Sequence, residues 1–290
     1  MATASVDAWR EASQTTTWRG HTQRYWEAGE GPVLLVIHGF PTSSWDFAPM
    51  WDELTSRFRV IAPDLLGFGF SDKPRDYDYS VVDAASQCEA LCKKLGVKRA
   101  HVLAHDYGDS VAQELLARHG EGSLALKIDS CVLLNGGIFP EQRRPRPIQK
   151  LLLTPLGPIL SRLMSLNRFA KSFSAVFSSG HQPTREELAA HWRIIEHQQG
   201  ARIAHRLIRY IPERREHRDR WVDVLLQPTV PLRLINGLED PVSGAHVCDH
   251  WLAQDPDADI VRLEGIGHYP QLEAPTRVLA AFDAFHEALD

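Results

Sequence analysis

Short apolar runs separated by helix-like stretches make up most of the chain. Several of these runs are continuous, not alternating, which is typical of strands covered on both faces of a parallel sheet. The predicted strands lie at residues 17–27, 33–38, 58–63, 100–105, 129–134, 230–235 and 259–263. Helices are predicted between them at 47–57, 80–95, 109–119, 243–254 and 275–289. This alternation predicts an α/β fold with a mostly parallel, doubly wound sheet, whose ligand site lies at the carboxyl ends of the strands.

The alternation of strands and helices stops between Gly136 and about Val230. This interval has no good strand pattern, contains a Pro- and Arg-rich stretch at 143–147, and then has helical patterns around 148–178, 184–198, 200–211 and 213–226. An insertion of this size after a strand end is expected to cover the ligand site as a cap. We therefore predict a core domain made of residues 1–137 and 227–290, and a helical cap domain at 138–226.

The distribution of charge follows the same division. The 290 residues carry 32 Lys and Arg and 37 Asp and Glu, a net charge of −5, so the chain as a whole has no basic footprint for nucleic acid. Residues 141–225 hold 16 Lys and Arg against 8 Asp and Glu, and the remainder holds 16 against 29. A basic cap of this kind either associates weakly with anionic membrane surfaces or is solvated and pairs with the acidic body.

The cysteines, histidines and apolar runs favour a cytoplasmic protein with no cofactor or metal. The four cysteines include no CxxC motif and are too few for a disulfide scaffold. Two histidine pairs have i, i+4 spacing, but neither contains the glutamate of HExxH; the pairs are His101/His105 and His246/His250. No apolar run approaches the roughly 20 residues of a membrane span, and the N-terminus lacks a signal peptide's apolar core. We expect a monomer or a homodimer.

The strongest chemical signal is the segment VLAHDYGDSVAQELL at residues 102–116. An apolar strand leads through Ala104, Asp106 and Gly108 directly into a helix, which is the form of a nucleophile elbow with Asp106 as the nucleophile. Small residues flank the turn because bulky ones would collide with the neighbouring chain. The helix N-terminus favours the ionised carboxylate that a nucleophile requires. By itself, Asp106 fits an ordinary helix N-cap equally well.

Two later strands also end in residues with catalytic chemistry. Asp240 follows the strand at 230–235, and His268 follows the strand at 259–263. The order Asp106, Asp240, His268 is the nucleophile, acid and histidine order of α/β-hydrolases. Glu239 competes with Asp240 for the acid role, and the Asp-Pro turn favours Asp240.

The sequence HGFP at the end of the strand 33–38 predicts an oxyanion hole. In this type of sheet the second amide comes from that loop, so the N–H groups of Phe40 and Tyr107 are expected to converge on a carboxylate oxygen of Asp106. Four further residues are predicted to line the substrate pocket: His38, Pro41, Trp45 and His105. For Trp45, packing in the core is the alternative and the more common role of an aromatic residue there.

From about residue 17 to 288 the chain resembles the epoxide hydrolase and haloalkane dehalogenase branch of the α/β-hydrolases. Within that branch it is most similar to the mesoderm-specific transcript protein family, through the segments HGFPTSSWDF, DLLGFGFSDKP, HDYGDSVAQELL, NGGIFPE and HYPQLEAP. The resemblance implies an Asp nucleophile, an ester intermediate, and a helical cap after the sixth strand whose tyrosines donate protons to the substrate oxygen. Tyr210 matches the later of the two cap tyrosines. It is the only Tyr between residues 108 and 268, so His181 is a candidate for the other donor. A purely structural role for Tyr210, anchoring the cap to the body, is the alternative.

The enzymes of this branch differ in the leaving group of their substrates. A halide needs side-chain N–H donors, which the related dehalogenases supply partly next to the nucleophile, where this chain has Tyr107. Fluoroacetate dehalogenases, which share HGFP, have Arg at that position. An epoxide needs an O–H acid, a role suited to Tyr210. We therefore predict an epoxide hydrolase for a small lipophilic substrate. Haloalkane dehalogenase is the alternative, and a non-catalytic or lipid-binding protein of this fold is an alternative of another class.

Overall fold

A computed structural model describes residues 5–289 of the protein. Eight strands form one sheet in the order β1-β2-β4-β3-β5-β6-β7-β8. Their bounds are β1 (Gln14–Trp18), β2 (His21–Ala28), β3 (Val33–Ile37), β4 (Arg59–Pro63), β5 (Arg99–His105), β6 (Lys127–Leu134), β7 (Leu232–Gly237) and β8 (Ile260–Leu263). Strand β2 is antiparallel to β1 and β4, and all other neighbours are parallel. The predicted fold class, with its mostly parallel sheet, is confirmed.

Helices lie on both faces of the sheet and above its carboxyl edge. In chain order they are α1 (Val6–Glu11), α2 (Trp51–Arg57), α3 (Val81–Lys94), α4 (Tyr107–Gly120), α5 (Pro147–Leu152), α6 (Gly157–Arg162), α7 (Leu166–Ser174), α8 (Arg185–Glu196), α9 (Ala204–Leu207), α10 (Tyr210–Glu216), α11 (Arg218–Leu226), α12 (Ala245–Gln254), α13 (Pro270–Glu273) and α14 (Pro275–Glu287). Two 3₁₀ segments, Ser44–Met50 and His197–Ile203, complete the described helical structure.

Alternate residues of the central strands enter two separate apolar cores. On β3, Leu35 and Ile37 belong to the core that includes α3 and α4, whereas Leu34 and Val36 belong to the core that includes α1, α2 and α14. The alternation arises because successive side chains of a strand point to opposite faces of its sheet. Both faces are buried, which explains why the strands appear in the sequence as continuous apolar runs.

The N-terminal segment differs from the single strand predicted at 17–27. It is a hairpin of β1 and β2, whose turn residues Arg19 and Gly20 have φ values of 46° and 83°. Consecutive positive φ values are typical of tight hairpin turns, and Gly20 was the available sequence signal. Helix α1 precedes the hairpin and was not predicted. It is held by Trp9, which is buried and stacks on Trp26 with ring centroids 5.1 Å apart.

The predicted helix at 148–178 is also wrong, because three short helices, α5, α6 and α7, take its place. Proline and glycine at 155–158 interrupt the first two, since proline cannot continue a helix hydrogen-bond ladder. The predicted helix at 200–211 is likewise divided among the second 3₁₀ segment, α9 and the start of α10. The division into a core domain and a cap domain stays a prediction; below, "cap layer" means helices α5 to α11 with the second 3₁₀ segment.

Two further features concern residues 5–289 as a whole. No helix in this range is long and apolar enough to span a bilayer. No group of three or more His, Cys, Asp or Glu side chains within the range is placed to hold a metal ion.

Candidate active site

The ends of three parallel strands bring Asp106, Asp240 and His268 to one edge of the sheet. Asp106 follows β5 directly, Asp240 lies three residues after β7, and His268 lies five residues after β8. All three are buried, with 4%, 3% and 5% of their surface exposed. Residues far apart in the chain thus converge because the carboxyl ends of parallel strands share one edge.

Asp106 occupies a strained turn between β5 and α4. Its φ of 48° and ψ of −99° lie outside the favoured regions for residues other than glycine. Gly108 permits this turn, because a Cβ atom there would overlap the carbonyl oxygen of Ile37. Gly39 is needed on the facing loop, where a Cβ atom would lie 2.6 Å from Nδ1 of His105. The small residues around the elbow therefore have the steric role that the sequence motif requires.

Asp240 holds His268 through a buried hydrogen bond. The distance from His268 Nδ1 to Asp240 Oδ2 is 2.7 Å, and the same carboxylate accepts from Asn135 Nδ2, Ser243 Oγ and the Val242 N–H at 3.1, 2.7 and 2.7 Å. Burial alone would raise the pKa of Asp240, but the charge of His268 and these hydrogen bonds lower it to about 2.

The interaction with Asp240 also changes the pKa of His268. Burial alone would lower the pKa of His268, but Asp240, and then Asp106, raise it above its ordinary value. Because Nδ1 donates to Asp240, the lone pair of the neutral ring lies on Nε2. Glu239, the competing acid, is exposed.

The carboxylate of Asp106 is held by one backbone N–H and lies near a buried arginine. The Phe40 N–H donates to Oδ2 at 3.2 Å, and Arg214 Nη2 lies 3.6 Å from Oδ1. Arg214 Nη2 also donates to the backbone oxygen of Asp106 at 2.7 Å. Burial alone would raise the pKa of Asp106, but the positive charges of His268 and Arg214 lower it, so the carboxylate is ionised at neutral pH. Tyr107, the other predicted oxyanion residue, follows as the first residue of α4.

Tyr210 lies beside this carboxylate at the start of α10. Its buried ring is 5.8 Å from the ring of Phe40 and 5.2 Å from that of Tyr107, measured between centroids. Two guanidinium groups flank it, with Arg214 at 4.6 Å and Arg143 at 6.0 Å from the ring centroid. Burial raises the pKa of Tyr210 to about 12, so its hydroxyl is neutral at pH 7.

The two arginines beside Tyr210 were not predicted from the sequence. Arg214 Nε donates to Ser110 Oγ at 2.5 Å, and Arg143 Nη2 donates to Gln149 Oε1 at 2.7 Å. The remaining nitrogens, Nη1 of Arg214 and both Nε and Nη1 of Arg143, are buried without a hydrogen-bond partner among the described residues. No local motif distinguishes these arginines from the other 14 basic residues at 141–225, because their burial depends on tertiary packing.

Three supporting residues were also missed. Asn135 and Ser243 hold the Asp240 carboxylate, and the Tyr269 hydroxyl donates to the Phe40 carbonyl at 3.3 Å. Asn135 had a usable signal, since it directly follows β6 and adopts a φ of 43°, which asparagine tolerates better than most residues.

Two of the predicted pocket residues support the backbone of the site. His38 Nδ1 donates to the Gly39 carbonyl at 2.9 Å, and its Nε2 accepts from the Leu65 N–H at 3.2 Å. His105 Nε2 donates to the carbonyl oxygen of His268 at 2.8 Å. Both rings are fully buried, and burial lowers the pKa of His38 and takes that of His105 to about 3. They are therefore neutral at pH 7 and fix the loops that carry Phe40 and His268.

The remaining predicted residues are Pro41, Trp45 and His181. Pro41, together with Phe40 and Met164, lines a small cavity of about 10 Å³, which is near the minimum for one water molecule. Trp45 packs against His191 of the cap layer, with ring centroids 4.8 Å apart. His181 is exposed, and its Nδ1 lies 3.2 Å from Ser178 Oγ. None of Asp106, His268 and Tyr210 lines this cavity.

Comparison with known proteins defines the family. A sequence model described as the alpha/beta hydrolase fold matches residues 32–275, and the chain belongs to this family. The mesoderm-specific transcript protein of Mus musculus is 40% identical over 293 residues, which cover 97% of this chain and 88% of that protein. The resemblance inferred from the sequence motifs is therefore confirmed.

Two solved structures share the fold at low sequence identity. The epoxide hydrolase CorEH has a TM-score of 0.77 and 21% identity, and the match covers 96% of this chain and 99% of that chain. The haloalkane dehalogenase DbeA from Bradyrhizobium elkani USDA94 has a TM-score of 0.78 and 24% identity, with coverage of 96% and 99%. Both chemistries that the sequence motifs suggest therefore occur on this fold.

The close contacts at the turn between β5 and α4 predict that Gly108→Ala destabilises the protein. The added methyl group would overlap the Ile37 carbonyl, so the free energy of unfolding in urea should fall by about 3 kcal/mol. Gly120→Ala is the matched control, because a Cβ atom there would lie 3.7 Å from its nearest neighbour, Thr229 Cγ2. Equal stability of the two variants would contradict the steric requirement at position 108.

Proposed function

We propose that this member of the α/β hydrolase family uses Asp106 as a nucleophile, forms an alkyl-enzyme ester and hydrolyses epoxides to vicinal diols. The observation that carries the proposal is the arrangement of the Asp106 carboxylate. It is ionised, accepts the Phe40 N–H at a strained elbow, and lies close enough to His268 for each charge to shift the other's pKa. A carboxylate in this position attacks sp³ carbon directly, which distinguishes it from an acyl-transfer serine.

In the proposed first step, Asp106 attacks an epoxide carbon. Because Oδ2 accepts the Phe40 N–H, Oδ1 is the oxygen left to form the new C–O bond. The epoxide C–O bond breaks, and its oxygen takes a proton from the Tyr210 hydroxyl. The resulting phenolate lies beside the guanidinium groups of Arg143 and Arg214, whose charges stabilise it.

In the second step, His268 Nε2 accepts a proton from water, and the water oxygen attacks the ester carbonyl carbon. The Phe40 N–H, and with it the Tyr107 N–H, would stabilise the oxyanion on Oδ2, at about 3 kcal/mol per donor. When the intermediate collapses, the bond between Asp106 Cγ and Oδ1 breaks, and the leaving alkoxide takes the proton of the newly added hydroxyl. The diol is released with Oδ1, and the water oxygen completes the restored Asp106 carboxylate. The proton on His268 then returns to Tyr210 through solvent.

Ester formation itself prepares His268 for this second role. The negative charge of Asp106 contributes to the raised pKa of His268. When Asp106 becomes a neutral ester, that contribution is lost and the pKa of His268 falls. A larger fraction of the histidine is therefore neutral, and able to accept a proton, in the intermediate than in the resting protein.

One observation favours haloalkane dehalogenation as a second candidate. The side chain of Tyr107 offers no N–H donor, which argues against a halide leaving group. However, Arg143 and Arg214 flank Tyr210, and each has a buried guanidinium nitrogen that forms no hydrogen bond within residues 5–289. N–H donors of this kind would stabilise a departing halide as readily as they stabilise a phenolate.

Trapping the ester tests the proposal and separates the two candidates. In His268→Gln, Asp106 should still be alkylated but water should not be activated, so the adduct should accumulate. By mass spectrometry, an epoxyalkane should add its whole mass to the peptide that contains Asp106, whereas a bromoalkane would add its mass less hydrogen bromide. His268→Gln combined with Asp106→Asn is the control and should give no adduct.

The outcomes of this experiment are distinct. Adducts with bromoalkanes alone would favour haloalkane dehalogenation over epoxide hydrolysis. If neither epoxyalkanes nor bromoalkanes modify Asp106, its nucleophilic role is contradicted, provided that His268→Gln unfolds at the same urea concentration as the wild type.

The pH dependence of ester hydrolysis tests the Asp240–His268 pair. His268 must be neutral to accept a proton, so the single-turnover rate of this step should rise with pH through the pKa of His268 in the ester. In Asp240→Asn, loss of the carboxylate that raises this pKa should move the inflection to lower pH and slow the step by about 10²–10⁴-fold. Glu239→Gln, next to it and exposed, should leave both the inflection and the rate unchanged.

Tyr210→Phe tests the proposed acid. Ester formation from epoxyalkanes should slow by about 100-fold, because the opening oxygen loses its proton donor, while formation from bromoalkanes should change much less. Stopped-flow measurement of both reactions gives this ratio directly. Tyr79→Phe is the matched control, since its hydroxyl is engaged with the Pro74 carbonyl at 2.7 Å. An equal effect on both substrates would assign Tyr210 a purely structural role.

A further inference from the structure

Large apolar side chains are exposed on one segment of the cap layer. Seven large apolar residues in the described range are exposed, and six of them fall between residues 151 and 166: Leu151, Leu153, Leu156, Ile159, Leu163 and Leu166. The seventh, Leu289, is next to the C-terminus. Single exposed leucines are ordinary, but a concentration of six within sixteen residues is not.

Large apolar side chains are exposed at α6 and small residues are buried, which is the reverse of the usual arrangement. Leu156, Ile159 and Leu163 follow the spacing of one helix face and are 56%, 55% and 52% exposed. The small residues Gly157 and Ser161 are buried instead, and Ser161 Oγ accepts from the His205 N–H at 3.0 Å. A helix against an aqueous surface normally buries its large apolar residues. The outward face of α6 therefore suits an apolar environment.

A basic cleft of about 300 Å³ lies beside this face. Its lining includes four arginines, one histidine and one acid: Arg75, Arg162, Arg202, Arg206, His205 and Asp76. Asp76 lies 3.8 Å from Arg206, whereas Arg162 and Arg202 form no ion pair with a carboxylate of residues 5–289. The cleft therefore carries unneutralised positive charge next to exposed apolar side chains.

Three other arginines of the cap layer are neutralised by carboxylates. Arg193 pairs with Asp7, Arg218 with Glu141, and Arg220 with Glu114 and Glu121. Arg162 and Arg202, beside the apolar face of α6, have no such partner within residues 5–289.

We propose that the segment 151–166 and the adjoining basic cleft form a docking surface for membranes that contain anionic phospholipids. The lipid phosphate would enter the cleft between Arg162, Arg202 and Arg206. The side chains of Leu156, Ile159 and Leu163 would enter the boundary between headgroups and acyl chains. The combination of positive charge and exposed apolar residues on one surface is what such a boundary requires.

The same features disfavour other occupants. A second copy of this chain, related by a two-fold axis, would bring two positively charged clefts together at the contact. A free phosphate ion would satisfy the arginines but leave the apolar face of α6 in water.

Co-sedimentation with vesicles tests this docking surface and requires no turnover. The wild-type protein should bind vesicles of phosphatidylcholine with phosphatidylserine, and bind vesicles of phosphatidylcholine alone much more weakly. Replacing Arg162, Arg202 and Arg206 by Gln should weaken binding to the anionic vesicles by about 100-fold and remove its salt dependence. Replacing Leu156, Ile159 and Leu163 by Ser should weaken binding by at least about tenfold at every salt concentration.

Two matched controls separate the surface from general effects. Lys93→Gln, Lys94→Gln and Lys98→Gln together remove the same charge from exposed positions outside the cap layer, and Leu289→Ser removes an exposed leucine elsewhere. Both variants should bind anionic vesicles within about twofold of the wild type, apart from the weak effect of net charge. All variants alter exposed or half-buried side chains, and their urea unfolding should match that of the wild type.

Three results would overturn the proposal. Equal binding to both kinds of vesicle, or to neither, would remove the anionic membrane as the occupant. Thermal stabilisation by inorganic phosphate, lost in the arginine variant without any vesicle binding, would assign the cleft to a free phosphate. A dimer detected by light scattering and abolished by the three serine substitutions, again without vesicle binding, would assign the apolar face to a second copy.

Discussion

The ionised carboxylate of Asp106, buried at the turn between β5 and α4, is the feature on which the rest of the site depends. An uncompensated charge at this depth would be strongly destabilising, so the protein must provide positive charge and hydrogen-bond donors around it. His268, Arg214 and the Phe40 N–H provide them from three parts of the chain. Nearby Asp109 is also buried, and burial followed by the negative charge of Asp106 raises its pKa well above the usual range. The charge of Asp106 therefore disfavours a second charged carboxylate at the elbow.

Sequence reasoning succeeded where a local rule acts directly on neighbouring residues. Continuous apolar runs located the parallel strands, and polar residues within five positions of strand ends indicated that Asp106, Asp240 and His268 lie at one edge of the sheet. It failed where turn residues interrupt an apolar pattern, as at the hairpin at Arg19 and the breaks between α5, α6 and α7. It also failed where three-dimensional packing decides. The burial of Arg143 and Arg214 has no local cause, because it depends on contacts between the cap layer and the elbow.

The charge of residues 141–225 also shows that sequence alone does not give the surroundings of a side chain. Summed over the sequence, residues 141–225 carry an excess of positive charge, and the sum treats every arginine alike. In the structure these arginines have different surroundings. Arg143 and Arg214 are buried near Asp106, Arg218 and Arg220 are paired with carboxylates, and Arg162 is exposed and forms no ion pair within residues 5–289. A net charge can therefore suggest that a segment is basic, but it cannot tell electrostatic catalysis from solubility or membrane binding.

The position of Tyr210 links the two candidate reactions. Burial makes its hydroxyl a poor acid in the resting protein, with a pKa near 12. The charges of Arg143 and Arg214 act in the opposite direction, since they stabilise the phenolate that proton donation leaves behind. Arg214 also donates to the Asp106 backbone oxygen, so one guanidinium contacts both the proposed nucleophile's peptide group and the ring of the proposed acid. An epoxide uses both groups at once, because ring opening forms the bond to carbon and creates the alkoxide on the same molecule. A haloalkane uses only the carboxylate and N–H donors, and leaves the buried hydroxyl of Tyr210 without a chemical role.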